Sequence, residues 1–313
     1  MTYAVTGGAG FIGSHLIEKL ILSKKKIVCI DDLSSGYVAN LPVDNKIKLL
    51  KMGVQFIDIT QMPKIDGIFH LAAQASVPKS IDDFYNSSAN NLLSTLKVWD
   101  LAIKLNIPVV YATSSAVYGN LSMGDDTIDK YDILSPYAQD KLTMEDYANM
   151  AWKIYHCRSI GLRFFNVYGP RQDPTNPYSG VISIFIDKLL NNMPVTVNGG
   201  HQTRDFIYVS DIVDVLLKSM ELVNENPLCT IFNVGTGKSV TIDELLLTLI
   251  KITKTEPDII KKKLPPGDPE RSSGTYKKLE RILKIGTNSF TSLDTGLLET
   301  VTYYHNQINN LEK

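Results

Sequence analysis

The chain has 313 residues, 32 basic and 33 acidic side chains, a formal net charge of −1, and 44% hydrophobic residues. A length of this order holds two ordinary domains, or one large domain with an elaborated lobe, around an ample core. The balanced, interspersed charge excludes the electrostatic footprint of a nucleic-acid or anionic-membrane binder, and Lys24-Lys25-Lys26 and Lys261-Lys262-Lys263 read as solvated surface.

In chain order, Tyr3-Ala4-Val5 reads as a short strand. Thr6-Gly7-Gly8-Ala9-Gly10-Phe11-Ile12-Gly13 reads as a glycine turn, and His15 to Leu22 as a helix. A glycine turn between a strand and a helix is a diphosphate cradle. Gly7 permits the tight turn, Gly10 lets the backbone approach a pyrophosphate, Gly13 lets the helix pack on the strand, and the helix N-terminus offers its N–H groups to the anion. The next apolar run, Ile27-Val28-Cys29-Ile30, ends in Asp31-Asp32. A carboxylate there accepts both hydroxyls of an adenosine ribose and repels a 2′-phosphate, so the expected cofactor is NAD rather than NADP.

Further strand-like segments follow at Ile47 to Leu50, Gln55 to Asp58, Gly67 to Leu71 and Val109 to Thr113, with helical stretches around 90 to 105 and 138 to 156. This alternation predicts an α/β fold with a doubly wound parallel Rossmann sheet, its ligands outside the carboxyl ends of the strands. After Arg163-Phe164-Phe165-Asn166 the texture changes to loops rich in Pro, Asn and Gly, from Tyr168 to Pro177 and again from Leu264 to Pro269. Such loops on a rigid scaffold collect substrate contacts. The predicted organisation is a nucleotide-binding domain over 1–165, joined by 206–235. A smaller, discontinuous C-terminal substrate lobe comprises 166–205 and 236–313.

Tyr137 and Lys141 are spaced to share one helix face, one turn apart. An ammonium near a phenol stabilises the phenolate, so the spacing predicts a lowered pKa and an acid/base at Tyr137. Thr113-Ser114-Ser115-Ala116-Val117-Tyr118-Gly119 follows an apolar strand and places a hydroxyl at its carboxyl end, where a nicotinamide would lie.

With these residues the sequence resembles the extended short-chain dehydrogenase/reductase superfamily and, within it, the UDP-hexose 4-epimerases. The resemblance rests on the glycine turn at 7 to 13, Asp31, Asp58-Ile59, His70-Leu71-Ala72-Ala73-Gln74, Ser114 with Tyr118-Gly119, and Tyr137 with Lys141. It continues through Leu162 to Arg171 and Gln202-Thr203-Arg204-Asp205-Phe206, so it spans nearly the whole chain. It implies that Gly7, Gly10, Phe11, Ile12, Gly13, Asp31, Asp32, Ser35, Gly36, Asp58, Ile59, Leu71, Ala72, Ala73, Gln74, Asn91, Tyr137 and Lys141 surround NAD. Asp58 and Ile59 would flank the adenine, Asn91 would lie near the nicotinamide, and Asn166 and Arg204 would hold the UDP.

Counting back from Tyr118-Gly119, the family's hydroxyl is Ser114. The two following positions, acidic in related nucleotide-sugar dehydratases, are Ser115 and Ala116, neither of which can serve as the extra acid/base of an elimination. The resemblance thus implies oxidation and re-reduction at C4 of a UDP-sugar. Two other readings stay open: another enzyme of the superfamily (dehydratase, decarboxylase or reductase), and a catalytically idle NAD-binding regulator.

Two features depart from the family pattern. Pro265-Pro266-Gly267-Asp268 lacks the usual diphosphate arginine, for which Arg271 is the candidate replacement, and Ser94 stands where glycine is common. Five residues after Gly267 comes Ser272, a small side chain where hexose-specific relatives carry a bulky tyrosine, which implies room for an N-acetyl group at the sugar C2. The segments Leu92 to Ala102 and Tyr147 to Ile154 are apolar on more than one face. The resemblance implies that they form a four-helix interface in a homodimer. Cys29, Cys157 and Cys229 are far apart and odd in number, a pattern that predicts reduced thiols in a cytoplasmic protein without a metal site. No apolar run approaches the ~20 residues of a membrane span, and a strand starting at residue 2 leaves no room for a signal peptide.

Overall fold

The computed structural model describes residues 1–176, 179–265 and 268–311, without the side chains of Gln61, Asn310 and Leu311. The first elements are β1 (Thr2–Thr6), α1 (Phe11–Leu22), β2 (Lys26–Asp31), β3 (Ile47–Lys51) and β4 (Gly67–His70). Then come α2 (Val77–Asp82), α3 (Phe84–Leu105), β5 (Val109–Ser114), α4 (Pro136–Tyr155), β6 (Ser159–Phe164) and β7 (Asn166–Tyr168). The chain continues through α5 (Val181–Leu190), β8 (Val195–Asn198), β9 (Thr203–Tyr208), α6 (Val209–Glu225), β10 (Cys229–Val234) and β11 (Ser239–Thr241). It ends with α7 (Ile242–Thr253), β12 (Ile259–Lys262), α8 (Lys277–Leu283) and α9 (Leu293–Leu311).

Seven strands form one sheet in the order β3-β2-β1-β4-β5-β6-β10, every neighbouring pair parallel. The central strands are covered on both faces, which is why they read as unbroken apolar runs rather than alternating ones. On one face α1 and α6 contribute Leu16, Ile17, Leu20, Ile212 and Leu216; on the other, α3 and α4 contribute Val98, Trp99, Ala102, Met144 and Ala148. Each Leu, Ile, Val or Met among them, fully removed from water, is worth about 1.5–3 kcal/mol. The strand order reverses between β1 and β4, and it is at such a switch point, in the crevice beyond the carboxyl ends of the strands, that sheets of this kind hold their ligands.

One predicted strand is corrected. Gln55 to Asp58 does not join the sheet; Val54–Phe56 forms a single 3₁₀ turn, closed by Phe56 N to Gly53 O at 3.0 Å and Ile57 N to Val54 O at 3.2 Å. Val54 and Ile57, three residues apart, both enter the core of the α3–α4 layer, and only a period near three puts them on one side.

Two smaller sheets, β11-β9-β7 and β12-β8, carry the C-terminal half. Their core is built from α5, α7 and α9, with Phe185, Ile186, Leu245, Leu249 and Leu297 buried against Val195, Val197 and Phe206.

Candidate active site

The glycine turn closes the N-terminal side of the crevice. Gly7 holds a φ of +66° and donates its N–H to Ile30 O at 2.8 Å; a Cβ there would stand 2.8 Å from Ala72 N, on the loop across the crevice. A Cβ on Gly13 would lie 2.1 Å from Gly7 O, so α1 can seat against the turn only with glycine. Gly10 is different: the one neighbour a Cβ would meet is Gly7 O at 3.2 Å, which leaves the turn open toward the crevice. It caps α1 without a side-chain bond, so the N–H groups of Phe11, Ile12 and Gly13 face outward from the first turn. The sequence reading missed Gly8, whose Cβ would strike Cys29 Sγ at 2.6 Å and Ile17 Cδ1 at 2.7 Å.

Asp31, buried at the end of β2, accepts from Ala9 N and Leu33 N, both at 2.9 Å, and burial raises its pKa. Gly36 lies against it, a Cβ there meeting Asp31 Oδ1 at 3.0 Å, whereas Asp32 and Ser35 are exposed. Asp32 binds Ser34, not the turn. Asp58 is exposed and caps the turn Ile59–Gln61, accepting from Thr60 N at 2.9 Å, while Ile59 packs on the α3 layer. Beyond β4, Leu71 N and Ala72 N donate to Thr6 Oγ1 at 3.1 and 3.2 Å, and Ala73 follows them. Gln74 N donates to Asn91 Oδ1 at 2.8 Å, and Asn91 Nδ2 reaches Asp140 Oδ2 at 3.0 Å, which ties this loop to α4. His70 lies beneath it between Thr6 Oγ1 (2.8 Å) and Thr95 Oγ1 (3.2 Å); burial pushes its pKa down to about 3, so the ring is neutral.

The three hydroxyl, phenol and amine candidates meet at the far side. Ser114 ends β5. Ser135 caps α4, accepting from Ala138 N at 3.2 Å, with Pro136 at the first helical position, and this places Tyr137 in the first turn. Lys141 is buried one turn on; its Nζ donates to Ala112 O at 2.8 Å and stands 5.8 Å from the centre of the Tyr137 ring. Burial lowers the Lys141 pKa to about 8, opposed by Asp140 and Glu145. The Tyr137 pKa departs from the sequence prediction. Burial raises it, a hydrogen bond with Ser114 works the other way, and Asp140 adds to the rise. Desolvation of the phenolate outweighs the Ser114 hydrogen bond. Ser115 and Ala116 open the short turn that follows Ser114, so no carboxylate occupies those two positions.

On the C-terminal side Asn166 Nδ2 donates to Asp205 O at 3.0 Å, and Arg204 pairs with Asp268. Arg271 is exposed and, among the described residues, has no hydrogen bond or ion pair. Ser272 N donates to the carbonyl of Thr203, the residue before Arg204, at 3.1 Å; Pro266 and Gly267, from which its spacing was counted, and Pro177 lie outside the described residues. The sequence reading assigned no role to Glu145 and Arg163, a buried pair 2.5 Å apart behind Lys141. The available signal was Glu145 itself, a charge one turn beyond Lys141 on a buried helix face.

A parallel sheet with a glycine cradle at its switch point, an acidic residue ending β2, and a Ser/Tyr/Lys set at the end of β5 define an NAD-binding enzyme of the extended short-chain dehydrogenase/reductase type. The chain belongs to the NAD-dependent epimerase/dehydratase family, whose model matches residues 3–235. It is 33% identical over 319 residues to the UDP-glucose 4-epimerase of Mycolicibacterium smegmatis, covering 98% of this chain and 99% of that one. Among solved structures, a UDP-N-acetylglucosamine 4-epimerase from Methanobrevibacter ruminantium M1, in complex with UDP-N-acetylmuramic acid, superposes with a TM-score of 0.89. Identity is 34%, with 98% of each chain covered. The UDP-glucose 4-epimerase of Thermotoga maritima with UDP-glucose superposes at 0.91, with 31% identity over 98% of this chain and all of that one.

Proposed function

We propose that the chain interconverts C4 epimers of UDP-sugars through a 4-keto intermediate, with Tyr137 as acid/base, Ser114 as hydrogen-bond partner of the reacting oxygen and Lys141 as the cation behind it. The observation that carries this reading is the meeting of these three side chains at the end of β5 with no carboxylate at 115 or 116. The cradle and Asp31 would hold NAD, which would supply the reversible hydride acceptor and, when oxidised, positive charge to the site. Because burial opposes the phenolate, Tyr137 depends on Ser114 and on added positive charge to take the proton of the sugar 4-OH. The same phenol returns that proton after the keto sugar has turned over. Asn166 and Arg204 hold the UDP, with Arg204 exchanging Asp268 for the diphosphate and Arg271 as a supporting cation.

The small Ser272, hydrogen-bonded to the residue before Arg204, favours acceptance of UDP-N-acetylhexosamines together with UDP-glucose and UDP-galactose. The Methanobrevibacter relative, a UDP-N-acetylglucosamine 4-epimerase, supports that breadth. The division into a cofactor domain (1–165 with 206–235) and a substrate lobe (166–205 with 236–313) is part of the same reading. So is a homodimer through α3 and α4. The exposed faces of those helices carry Tyr85 and Leu93, 76% and 52% accessible, and Met150 and Ile154, 52% and 60% accessible. No described helix is long and apolar enough to cross a membrane, and all three cysteines are free thiols, in keeping with a cytoplasmic enzyme.

The test is incubation of purified protein with UDP-GlcNAc, UDP-glucose and UDP-glucuronate without added cofactor, with products read by NMR. C4 epimers support the proposal; a 4-keto-6-deoxy sugar or CO₂ assigns another reaction of the family, and no turnover assigns an idle NAD binder.

A further inference from the structure

Glu145 stands one turn beyond Lys141 and two beyond Tyr137, on the same face of α4. Arg163 from β6 grips it with both arms of its fork, Nε to Oε1 at 2.9 Å and Nη2 to Oε2 at 2.5 Å. Thr113 Oγ1 donates to the same Oε1 at 2.6 Å. Arg163 Nη1 donates to Tyr118 OH at 2.7 Å and Nη2, which also holds Glu145, donates to Tyr131 OH at 3.2 Å, and the guanidinium lies 5.1 Å from the centre of each ring. Tyr118 OH in turn donates to Asn233 Oδ1 on β10 at 2.7 Å. Glu145 and Arg163 are both buried, and a buried ion pair is a weak source of stability because desolvation offsets its attraction.

What the pair supplies is registration. Tyr111 and Thr113 share the face of β5 that looks onto α3 and α4, and Ser114 follows directly. The helix is tied to this strand end at two successive residues: Lys141 Nζ to Ala112 O, and Glu145 to Thr113. Without the second tie, the polar contacts left between α4 and the end of β5 are Lys141 Nζ to Ala112 O and Tyr137 to Ser114, all made through side chains the chemistry itself needs. We propose that the Glu145–Arg163 pair, clamped to Thr113, is a positioning element that sets how far α4 slides along β5 and so fixes Tyr137 and Lys141 against Ser114. The inference rests on the acid/base reading of those three residues. Charge acts in the same direction. Glu145 and Asp140 on α4 support the Lys141 ammonium against burial; from the other elements it faces a neutral His70 on β4, with Arg163 of β6 behind Glu145.

The test compares NAD-loaded wild type with Thr113→Val, which removes one hydroxyl and leaves the ion pair whole, and with Glu145→Gln. Three quantities are read: NAD content, kcat and KM for the UDP-sugar, and the ionisation of Tyr137, taken from the ultraviolet difference against Tyr137→Phe, which needs no turnover. Thr113→Val is expected to keep NAD content and KM within about twofold while kcat falls about tenfold or more, because a small misplacement of reacting groups is costly. Tyr137 should ionise about half a pH unit or more higher, as its Ser114 hydrogen bond loosens. Glu145→Gln should show the same split with a loss of about 100-fold, and its kcat should decline at lower pH on the alkaline side as Lys141 loses a supporting carboxylate. If Glu145→Gln does not fold, Thr113→Val decides. A folded Thr113→Val with wild-type kcat and wild-type Tyr137 ionisation overturns the proposal, as does a loss of kcat that only follows loss of NAD. If the wild type makes no epimer, the proposed function fails, and the Tyr137 ionisation still decides on the clamp.

Discussion

Replacing Tyr137 by phenylalanine removes one oxygen and almost no volume from a buried residue in the first turn of α4. Its backbone N–H to Ser80 Oγ (3.2 Å) and the Lys141 contact with Ala112 O (2.8 Å) do not involve that oxygen, so the helix and the cofactor crevice stay in place. The loss falls on proton transfer. A positioned acid/base is worth about 10²–10⁴ in rate, or about 2.7–5.4 kcal/mol at 1.36 kcal/mol per tenfold. Epimerase activity of Tyr137→Phe should therefore fall by that factor, while bound NAD per subunit and UDP-sugar affinity stay within about twofold. Ser114→Ala should be milder, since it removes a hydrogen bond to the reacting oxygen and leaves the phenol. The pH profile adds a second reading. Burial raises Tyr137 and lowers Lys141 to about 8, so the phenolate–ammonium form is the minor one, and the limbs belong to the pair. The wild-type rate should rise with pH as Tyr137 ionises and fall as Lys141 loses its proton, and the residual rate of Tyr137→Phe should lack the rising limb. A Tyr137→Phe enzyme within tenfold of wild type, or one that keeps the rising limb, refutes the assignment.

Gly13→Ala forces a Cβ to within 2.1 Å of Gly7 O, so α1 must move off the turn; NAD affinity should drop at least about tenfold, with about 1–3 kcal/mol lost in urea unfolding. Unchanged NAD content in the purified variant would show that α1 does not abut the turn as described. Ser272→Tyr should selectively reduce kcat/KM for UDP-GlcNAc and UDP-GalNAc relative to UDP-glucose and UDP-galactose, a steric exclusion of the acetamido group; equal losses on both pairs would remove position 272 as the gate. His70 binds its proton only near pH 3 when folded, but near 6.5 when unfolded. Between those values the unfolded chain holds more protons, so stability should fall on acidification from about 6.5 toward 3, by at most about 1.4 kcal/mol per pH unit from this residue. Urea midpoints that decline equally in His70→Asn would assign that slope to other groups.

The glycine turn between β1 and α1 was legible because its requirements are local. Gly7, Gly10 and Gly13 act within seven residues, and the strand, turn and helix around them follow from a short apolar run and a helical period. Tyr137 and Lys141 were legible for the same reason, four residues apart on one helix. The pKa of Tyr137 was misread because spacing carries no information about burial, and here burial prevails. Gln55 to Asp58 was misread as a strand because four residues do not separate a period of two from one of three. The Glu145–Arg163 pair joins α4 to β6, and the partners of Asp205, Tyr276 OH and Thr236, come from other parts of the chain. Pairings of that kind follow from topology and were not assigned from the sequence. Arg204 with Asp268 is another, and it occupies a guanidinium expected to hold the UDP.

The most direct test of the central claim uses a UDP-sugar deuterated at C4, incubated with the purified protein without added cofactor. On the proposed mechanism NAD takes the C4 hydride and returns it to the same carbon while Tyr137 handles only the hydroxyl proton, so the C4 epimer should form with its deuterium retained at C4. An epimer that has exchanged the label with water, or a substrate that keeps its label and its configuration, would contradict the account.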